Sequence, residues 1–224
     1  MSVIEQKVAK SARRKASKGV RRRQLIEATI DSIAERGFAA TTMADVADGA
    51  GLSRGIVNFH FDSKEKLLAE TLRHLSELYV THWRGAHDRA EPNAAARLWA
   101  IVTSDFEHKV CNRRYIATWV GLRLESQYRP IYKRICGRTD KAFGETIAGL
   151  CHQLIDEGGY DADAKRIGAG IDAMLEGLWL HILVNPDRMS RTRARTCAKD
   201  HLATLFPKHF TAEGPLAPAG TNGH

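Results

Sequence analysis

Four residues suited to reading a nucleic acid lie within six positions of one another: Ser53, Arg54, Gly55 and Asn58. An arginine can donate two hydrogen bonds to a guanine in the major groove, and a glycine beside it permits close approach. Asn58 can hydrogen-bond to a phosphate or to an adenine. The pattern predicts base-reading chemistry if a helix presents these residues on one exposed face.

Two short helices around a tight turn are predicted to position these residues. Thr42 and Asp45 have the spacing of a capping box, which begins a helix that ends near Asp48. Gly51 lets the chain turn, and Ser53 is a favourable N-cap for the following helix. The residues expected to be buried between the helices are Met43, Val46, Ala47, Leu52, Ile56 and Val57. This is the outline of a helix-turn-helix.

The remaining elements are also predicted to be helical. A first helix spans Val20 to Arg36, with Gly37 as its left-handed end, and a long helix follows a second capping signature, Asp62 to Glu65, as far as Arg89. Further helices are predicted at 94–109, 112–127, 130–157, 162–184 and 191–205. We therefore expect an all-α protein with an N-terminal three-helix helix-turn-helix domain and a C-terminal helical domain for ligand binding and dimerisation. The predicted division is a basic disordered arm over 1–19, a DNA-binding domain over 20–66, the second domain over 67–207, and a disordered tail over 208–224.

The positive charge is concentrated at the N-terminus. The chain carries 34 Lys and Arg against 26 Asp and Glu, a net charge of +8, and residues 1–23 hold nine basic residues and one acidic residue. The rest of the chain is therefore neutral. Such an arm is either a solvated tail or a contact to phosphates or the minor groove.

Other classes of protein lack support in the sequence. Cys111, Cys136, Cys151 and Cys197 are scattered without a C-x-x-C pair, which argues against a zinc site or a disulfide framework and fits a reducing cytoplasm. No uninterrupted apolar run approaches the ~18 residues of a membrane span. No catalytic signature appears, and the G-x-G-x-x-A match at 168–173 lies inside a predicted helix, so neither an enzyme nor a cofactor is predicted.

The string over residues 41–68 resembles the N-terminal motif of the TetR family of repressors, and the match extends over about 20–72. The resemblance implies a regulator that binds a near-palindromic double-stranded DNA operator. It further implies phosphate contacts at Thr42 and Lys64, with His60 as a weaker candidate that can equally be a packing residue. Asn58 departs from the family pattern, in which a phosphate-contacting tyrosine often stands there.

Two later stretches resemble the BetI type of this family, which represses genes of the betaine pathway. They are Tyr115 to Trp119, leading into 128–134, and Glu176 to Leu180. The resemblance implies choline as effector, and aromatic faces with a nearby carboxylate hold such a quaternary ammonium ion. The candidate ligand-binding residues are Asp105, Phe106, Tyr115, Trp119 and Trp179, although aromatic residues at helical spacing are also typical of a core.

A homodimer is expected through the helices at 162–184 and 191–205, which carry more apolar surface than one small domain can cover. The residues expected to supply that surface are Ile167, Ile171, Met174, Leu175, Leu178, Ile182, Leu202, Leu205 and Phe206. Two alternatives remain open from sequence. One is a repressor of efflux or catabolic genes with a hydrophobic effector, and the other is a helical interaction protein that binds nucleic acid nonspecifically.

Overall fold

The structure is a computed structural model that describes residues 3–217, with side chains described from Lys18 onward. Within that range the chain is all-α, as predicted. The α-helices are α1 (Val3–Arg36), α2 (Met43–Gly49), α3 (Arg54–His60), α4 (Lys64–Arg89), α5 (Ala94–Ser104), α6 (Arg113–Leu124), α7 (Pro130–Gly158), α8 (Ala164–Val184) and α9 (Arg191–Leu205). A single 3-10 turn over Glu125–Gln127 follows α6.

The chain divides into two compact units. Unit 1 comprises Met1–His74 and Ala117–Tyr132, and unit 2 comprises Leu75–Ile116 and Lys133–His224. Sequence periodicity placed a boundary at residues 66 and 67 and assigned 117–132 to the second domain. The unit with the helix-turn-helix therefore extends further along α4 and takes in a distant segment of the chain.

The core of unit 1 forms around one face of α1. Leu25, Ile26, Thr29, Ile30 and Ile33 are all buried, as their spacing predicted, and α1 packs on α2 while α2 packs on α3. The segment 117–132 contributes three fully buried side chains to this core, those of Thr118, Leu122 and Tyr132. The Thr118 hydroxyl donates a hydrogen bond to the Ile30 carbonyl at 3.2 Å, which ties the two segments together.

The start of α1 differs from the prediction. The sequence predicted a disordered arm over 1–19 and a helix from Val20, whereas the backbone is helical from Val3. The arm is rich in Ala, Lys and Arg, which favour helix, and extension of an existing helix carries no nucleation cost. Residues 1 and 2 and the side chains before Lys18 lie outside the described residues. Gly37 ends the helix with a φ of +83°, as predicted.

Unit 2 packs α9 against α5 and α8. The close approach of α8 to α7 depends on a glycine: a Cβ on Gly168 would lie 3.2 Å from the Ala148 Cα and 3.3 Å from the Ala148 nitrogen. Most of the residues predicted for a dimer face are used here instead. Ile171, Leu175, Leu178, Leu202 and Phe206 are buried within unit 2, so their assignment to an intersubunit surface is wrong.

Two boundaries of unit 2 also differ from prediction. Helix α5 ends at Ser104 instead of 109, and the buried His82 ring lies 2.9 Å from the Ser104 carbonyl, where an Nε2–H can donate to that helix end. The predicted disordered tail over 208–224 has described structure as far as residue 217. Phe210 anchors it, because its buried ring stacks on Trp99 with centroids 5.9 Å apart. Residues 218–224 lie outside the described residues.

Helix α8 is apolar and long. Among the described residues it is the one helix whose length and composition would suffice to cross a membrane, a property that core helices of soluble proteins share. Only 22% of its apolar window is buried within the chain. The exposed part includes Leu180 and Val184, so α8 presents an uncovered apolar face.

Candidate nucleic-acid interface and effector site

The turn between α2 and α3 has the geometry that the sequence predicted. Thr42 N–H donates to Asp45 Oδ2 at 2.9 Å, and Asp45 N–H donates to the Thr42 hydroxyl at 3.2 Å, which completes the capping box. The Thr42 hydroxyl also donates to Asp45 Oδ2 at 2.6 Å, and this bond, followed by the one from Thr42 N–H, holds the pKa of Asp45 below its usual value. Gly51 adopts a φ of +63°, and Leu52 N–H closes the turn on the Ala47 carbonyl at 2.9 Å. The start of α3 is therefore fixed relative to α2.

Helix α3 separates its residues into two faces. Arg54, Gly55, Asn58 and Phe59 are exposed, while Val57 is fully buried. The helix thus presents the predicted base-reading residues together on one face. Phe59 belongs to that face too, although periodicity included it in the helix without a role.

Ser53 occupies the N-cap position of α3, and its hydroxyl makes no capping hydrogen bond. The residue is exposed. Its hydroxyl is therefore not committed to the helix end, which leaves it available for the phosphate contact that such groups often make.

His60 is a packing residue in this conformation. Its side chain is 9% exposed, and burial, together with the positive charges of Lys18, Arg22 and Arg21, lowers the pKa of the imidazole. A ring held inside the packed face cannot reach a phosphate unless it moves. Of the two roles left open by the sequence, this conformation favours packing over a phosphate contact.

The start of α4 carries Lys64, the second predicted phosphate ligand. Lys64 is half-buried, and its ammonium lies 5.8 Å from the centroid of the Phe38 ring. The helix is capped by Ser63, whose hydroxyl accepts from Lys66 N–H at 3.2 Å. The predicted capping box from Asp62 to Glu65 is wrong, because Asp62 instead forms an ion pair with Lys66.

Arg22 is a positioning residue that sequence reasoning missed. Its guanidinium lies 4.5 Å from the Phe61 ring centroid, 2.7 Å from a Glu70 oxygen, and donates to the His60 carbonyl at 3.3 Å. It therefore links α1 to the end of α3 and to α4. The basic run was visible in the sequence, but nothing in it distinguished this arginine from its neighbours.

A buried carboxylate marks a second site, in unit 2. Asp105 follows α5 and is 3% exposed, and Trp179 Nε1 donates to its backbone carbonyl at 3.1 Å. Its Oδ1 atom has no hydrogen-bond partner among the described residues. A buried oxygen of this kind is costly unless a ligand or another partner satisfies it.

Aromatic rings surround this part of unit 2. Tyr79 and Trp179 meet edge to face with centroids 5.6 Å apart, and Tyr79 lies 5.8 Å from Phe143. Phe143 in turn meets Trp83 at 5.7 Å. The rings come from α4, α7 and α8, which are distant in sequence.

The charge at this site is negative. Burial first of all, and also the neighbouring carboxylates of Asp172 and Glu176, raise the pKa of Asp105, whereas a hydrogen bond from Tyr79 lowers it, and the net result is a pKa of about 7. Burial and then the charge of Asp105 raise the pKa of Tyr79. Carboxylates that repel each other beside aromatic faces are suited to an organic cation, which relieves the repulsion and lies against the rings.

The structure places the predicted ligand-binding residues at different locations. Asp105 and Trp179 come together, and Phe106 is buried next to Asp105 in the chain. Tyr115 is half-buried with the Arg114 guanidinium 5.6 Å from its ring centroid. Trp119 belongs to unit 1, where Arg123 lies 5.6 Å from its ring centroid. Tyr79 and Phe143 were missed because their helical spacing is that of core residues.

Comparison with known proteins gives one match in the N-terminal part of the chain and one in the C-terminal part. Residues 25–71 match the bacterial regulatory proteins of the tetR family, and residues 94–207 match the C-terminal domain of BetI-type transcriptional repressors. The HTH-type transcriptional regulator BetI of Paraburkholderia phymatum is 34% identical over 84% of this chain and 93% of that protein. The regulator BetI 2 of Chromohalobacter salexigens is 31% identical over 84% of this chain and 89% of its own.

Solved structures agree with this fold. A transcriptional regulator from Pseudomonas aeruginosa PAO1 superposes with a TM-score of 0.73 at 26% identity, covering 83% of this chain and 90% of that one. A regulator from Saccharomonospora viridis, solved in complex with choline, gives a TM-score of 0.72 at 23% identity. The match covers 81% of this chain and 94% of that one.

The helix-turn-helix and the helical second unit define a DNA-binding transcriptional regulator. The chain belongs to the TetR family and carries a BetI-type C-terminal domain.

Proposed function

We propose that this regulator is a repressor that an organic cation of the choline type releases from its operator. The observation that supports this most directly is Asp105, a buried carboxylate with one unpartnered oxygen beside the Tyr79 and Trp179 rings. A quaternary ammonium ion has no N–H to donate, so it is held by aromatic faces and by the field of a counter-charge. The names of the BetI relatives and the choline complex of the Saccharomonospora regulator support the same class of effector.

A comparison of two ligands of the same shape tests the effector class. Choline and its neutral isostere 3,3-dimethylbutan-1-ol differ in the charge on one central atom, so apolar burial contributes about equally to both. We expect choline to bind at least tenfold more tightly, measured by calorimetry on the full chain. The Asp105→Asn variant should lose most of that preference, because it removes the buried charge and keeps the shape. Equal affinity for both ligands would instead favour a hydrophobic effector and a role in efflux or catabolic genes.

The DNA contacts of the proposed repressor come from unit 1. The residues that we assign to the interface are Thr42, Ser53, Arg54, Gly55, Asn58 and Lys64, and the expected partner is a near-palindromic operator in the cytoplasm. Base reading belongs to the exposed face of α3, and the helix N-termini at Thr42 and Lys64 suit phosphates. A salt-dependent affinity without preference for operator over random DNA would favour nonspecific binding instead.

The proposed repressor is a homodimer through α8 and α9. The support is the uncovered face of α8, which carries exposed Leu180 and Val184, together with the exposed small residues Ala169, Gly170 and Ala173. A symmetric pair of such faces would bury this surface. The dimer would then present two copies of α3, one to each half of a two-fold operator.

A further inference from the structure

Phe59 is a large apolar side chain that α3 leaves in solvent. It is 70% exposed, although Val57 on the same helix is fully buried. The Lys18 ammonium lies 5.5 Å from the ring centroid, and the His60 ring meets it edge to face at 5.3 Å. Because most of the ring is still in water, the packing of unit 1 does not account for a phenylalanine at this position.

The position of Phe59 on α3 places it beside the proposed base-reading residues. It follows Gly55 by four residues, so the two lie one turn apart on one face. A Cβ on Gly55 would meet only the Ser53 hydroxyl oxygen within 4 Å, at 3.8 Å, and its φ is not in the left-handed region. The fold therefore does not require a glycine there. Its missing side chain leaves room for a duplex to approach α3, which would bring the Phe59 ring to the depth of the base edges.

The chemistry of the major groove offers one apolar partner to such a ring. The base edges present hydrogen-bond donors and acceptors, with the single exception of the C5-methyl group of thymine. We propose that Phe59 is a specificity-determining residue that reads a thymine by packing on its C5-methyl group. The proposal rests on the DNA-binding role of α3. Lys18 would then lie beside the ring, where its charge can meet a phosphate that flanks the same base.

Replacement of thymine by deoxyuridine tests the proposal, since it removes the methyl group and leaves every hydrogen-bonding group in place. The probe is the shortest duplex that the full chain protects in its own upstream region, with each thymine replaced in turn. We expect one position in each half-site to lower affinity about fourfold, the equivalent of one buried methyl group. The Phe59→Ala variant should bind more weakly and be indifferent to the same replacement.

A second variant separates this effect from a general loss of apolar surface. Leu124 is also in unit 1 and is 66% exposed, so Leu124→Ala should keep the methyl sensitivity of the unsubstituted protein. Thermal unfolding should show both variants folded, because neither side chain is buried. The proposal is overturned if no thymine methyl matters, or if Phe59→Ala retains the same sensitivity. Absence of any specific binding would overturn the DNA-binding role as well, whereas specific binding without methyl sensitivity overturns this inference alone.

Discussion

Arg54 and Lys64 are both cations at the first residue of a helix in unit 1, yet their surroundings differ. Arg54 is exposed on the face of α3 that also carries Asn58. Lys64 is half-buried, and its ammonium lies against the Phe38 ring. We therefore expect Arg54 to read a base and Lys64 to hold a phosphate, two roles that mutation can separate.

The Arg54→Ala variant should relax sequence preference. Loss of a bidentate contact to guanine costs roughly 1–3 kcal/mol of discrimination, while nonspecific affinity should fall much less. The measurement is the ratio of operator to random-DNA affinity at one salt concentration. An unchanged ratio would remove Arg54 from the base-reading residues.

The Lys64→Ala variant should weaken binding to all sequences alike. One lost phosphate contact reduces the slope of log affinity against log salt by about one unit. Lys66→Ala is a matched control, because Lys66 is close in sequence but already paired with Asp62. If the slope is the same in all three proteins, Lys64 does not contact a phosphate.

The proposed role of Asp105 as counter-charge predicts that choline binding depends on pH. Its pKa is raised to about 7, so the carboxyl group is protonated and neutral below that pH and carries its full charge above it. A cation that binds the carboxylate must displace this proton, so choline affinity should rise about tenfold per pH unit up to about pH 7 and then level off. Calorimetry between pH 5.5 and 8.5 measures this dependence of choline affinity on pH. Asp105→Asn should give weak binding without this dependence, and a flat profile in the unsubstituted protein would exclude Asp105 as the counter-charge.

The same ionisation affects stability in a defined direction. The folded-state pKa of Asp105 lies above the value of an exposed aspartate, so the folded chain binds more protons between about pH 4 and pH 7. This group therefore makes folding less favourable as pH rises through that range. The proposed cationic effector would offset this penalty above pH 7.

At the scale of elements, the sequence predicts most helices well, because their signals are local. The capping box at Thr42 and the left-handed Gly37 were predicted from residues within one or two turns. The end of α5 was not predicted correctly. Phe106, Val110 and Cys111 continue the apolar spacing of the helix, although the backbone is no longer helical there. Apolar spacing alone does not distinguish a helix from a series of turns.

The candidate site was only partly predictable for a different reason. Periodicity assigns Tyr79 to the apolar face of its helix but does not say which distant residue that face meets. The approach of Tyr79 to Trp179 and Asp105 joins three elements far apart in sequence. The inclusion of 117–132 in unit 1 was invisible for the same reason. Contacts between distant segments depend on tertiary packing, which composition and spacing do not encode directly.

The contact between α7 and α8 gives a prediction at this scale. Gly149→Ala, in an exposed part of α7 with open space around it, should raise the free energy of unfolding by about 1 kcal/mol through helix propensity. Gly168→Ala should give no such gain, because the added Cβ would press on the Ala148 backbone at 3.2 Å. Urea unfolding compares the two. An equal gain from both substitutions would show that the helices are not held at this distance by Gly168.

For the whole molecule, the proposed dimer can be tested at the uncovered face of α8. Leu180 is 45% exposed and Val184 is 58% exposed near the end of this helix. A double change of Leu180 and Val184 to Glu should convert the dimer to a monomer, because it would bring carboxylates together across a two-fold axis. Sedimentation velocity measures the mass.

The matched control is Leu216→Glu, which alters an exposed apolar residue outside α8 and α9 and should leave the dimer intact. A dimer that persists in the double variant would place the interface elsewhere.

The proposed effector-controlled repressor is tested most directly by fluorescence anisotropy of the full chain on labelled DNA from its own upstream region. Random DNA serves as competitor, and the measurement is made with and without choline. We predict specific binding that choline weakens at pH 8, whereas 3,3-dimethylbutan-1-ol leaves it unchanged and the Asp105→Asn variant does not respond to choline. Specific binding that is indifferent to choline would contradict the proposed effector, and binding without preference for the upstream DNA would contradict the role of α3.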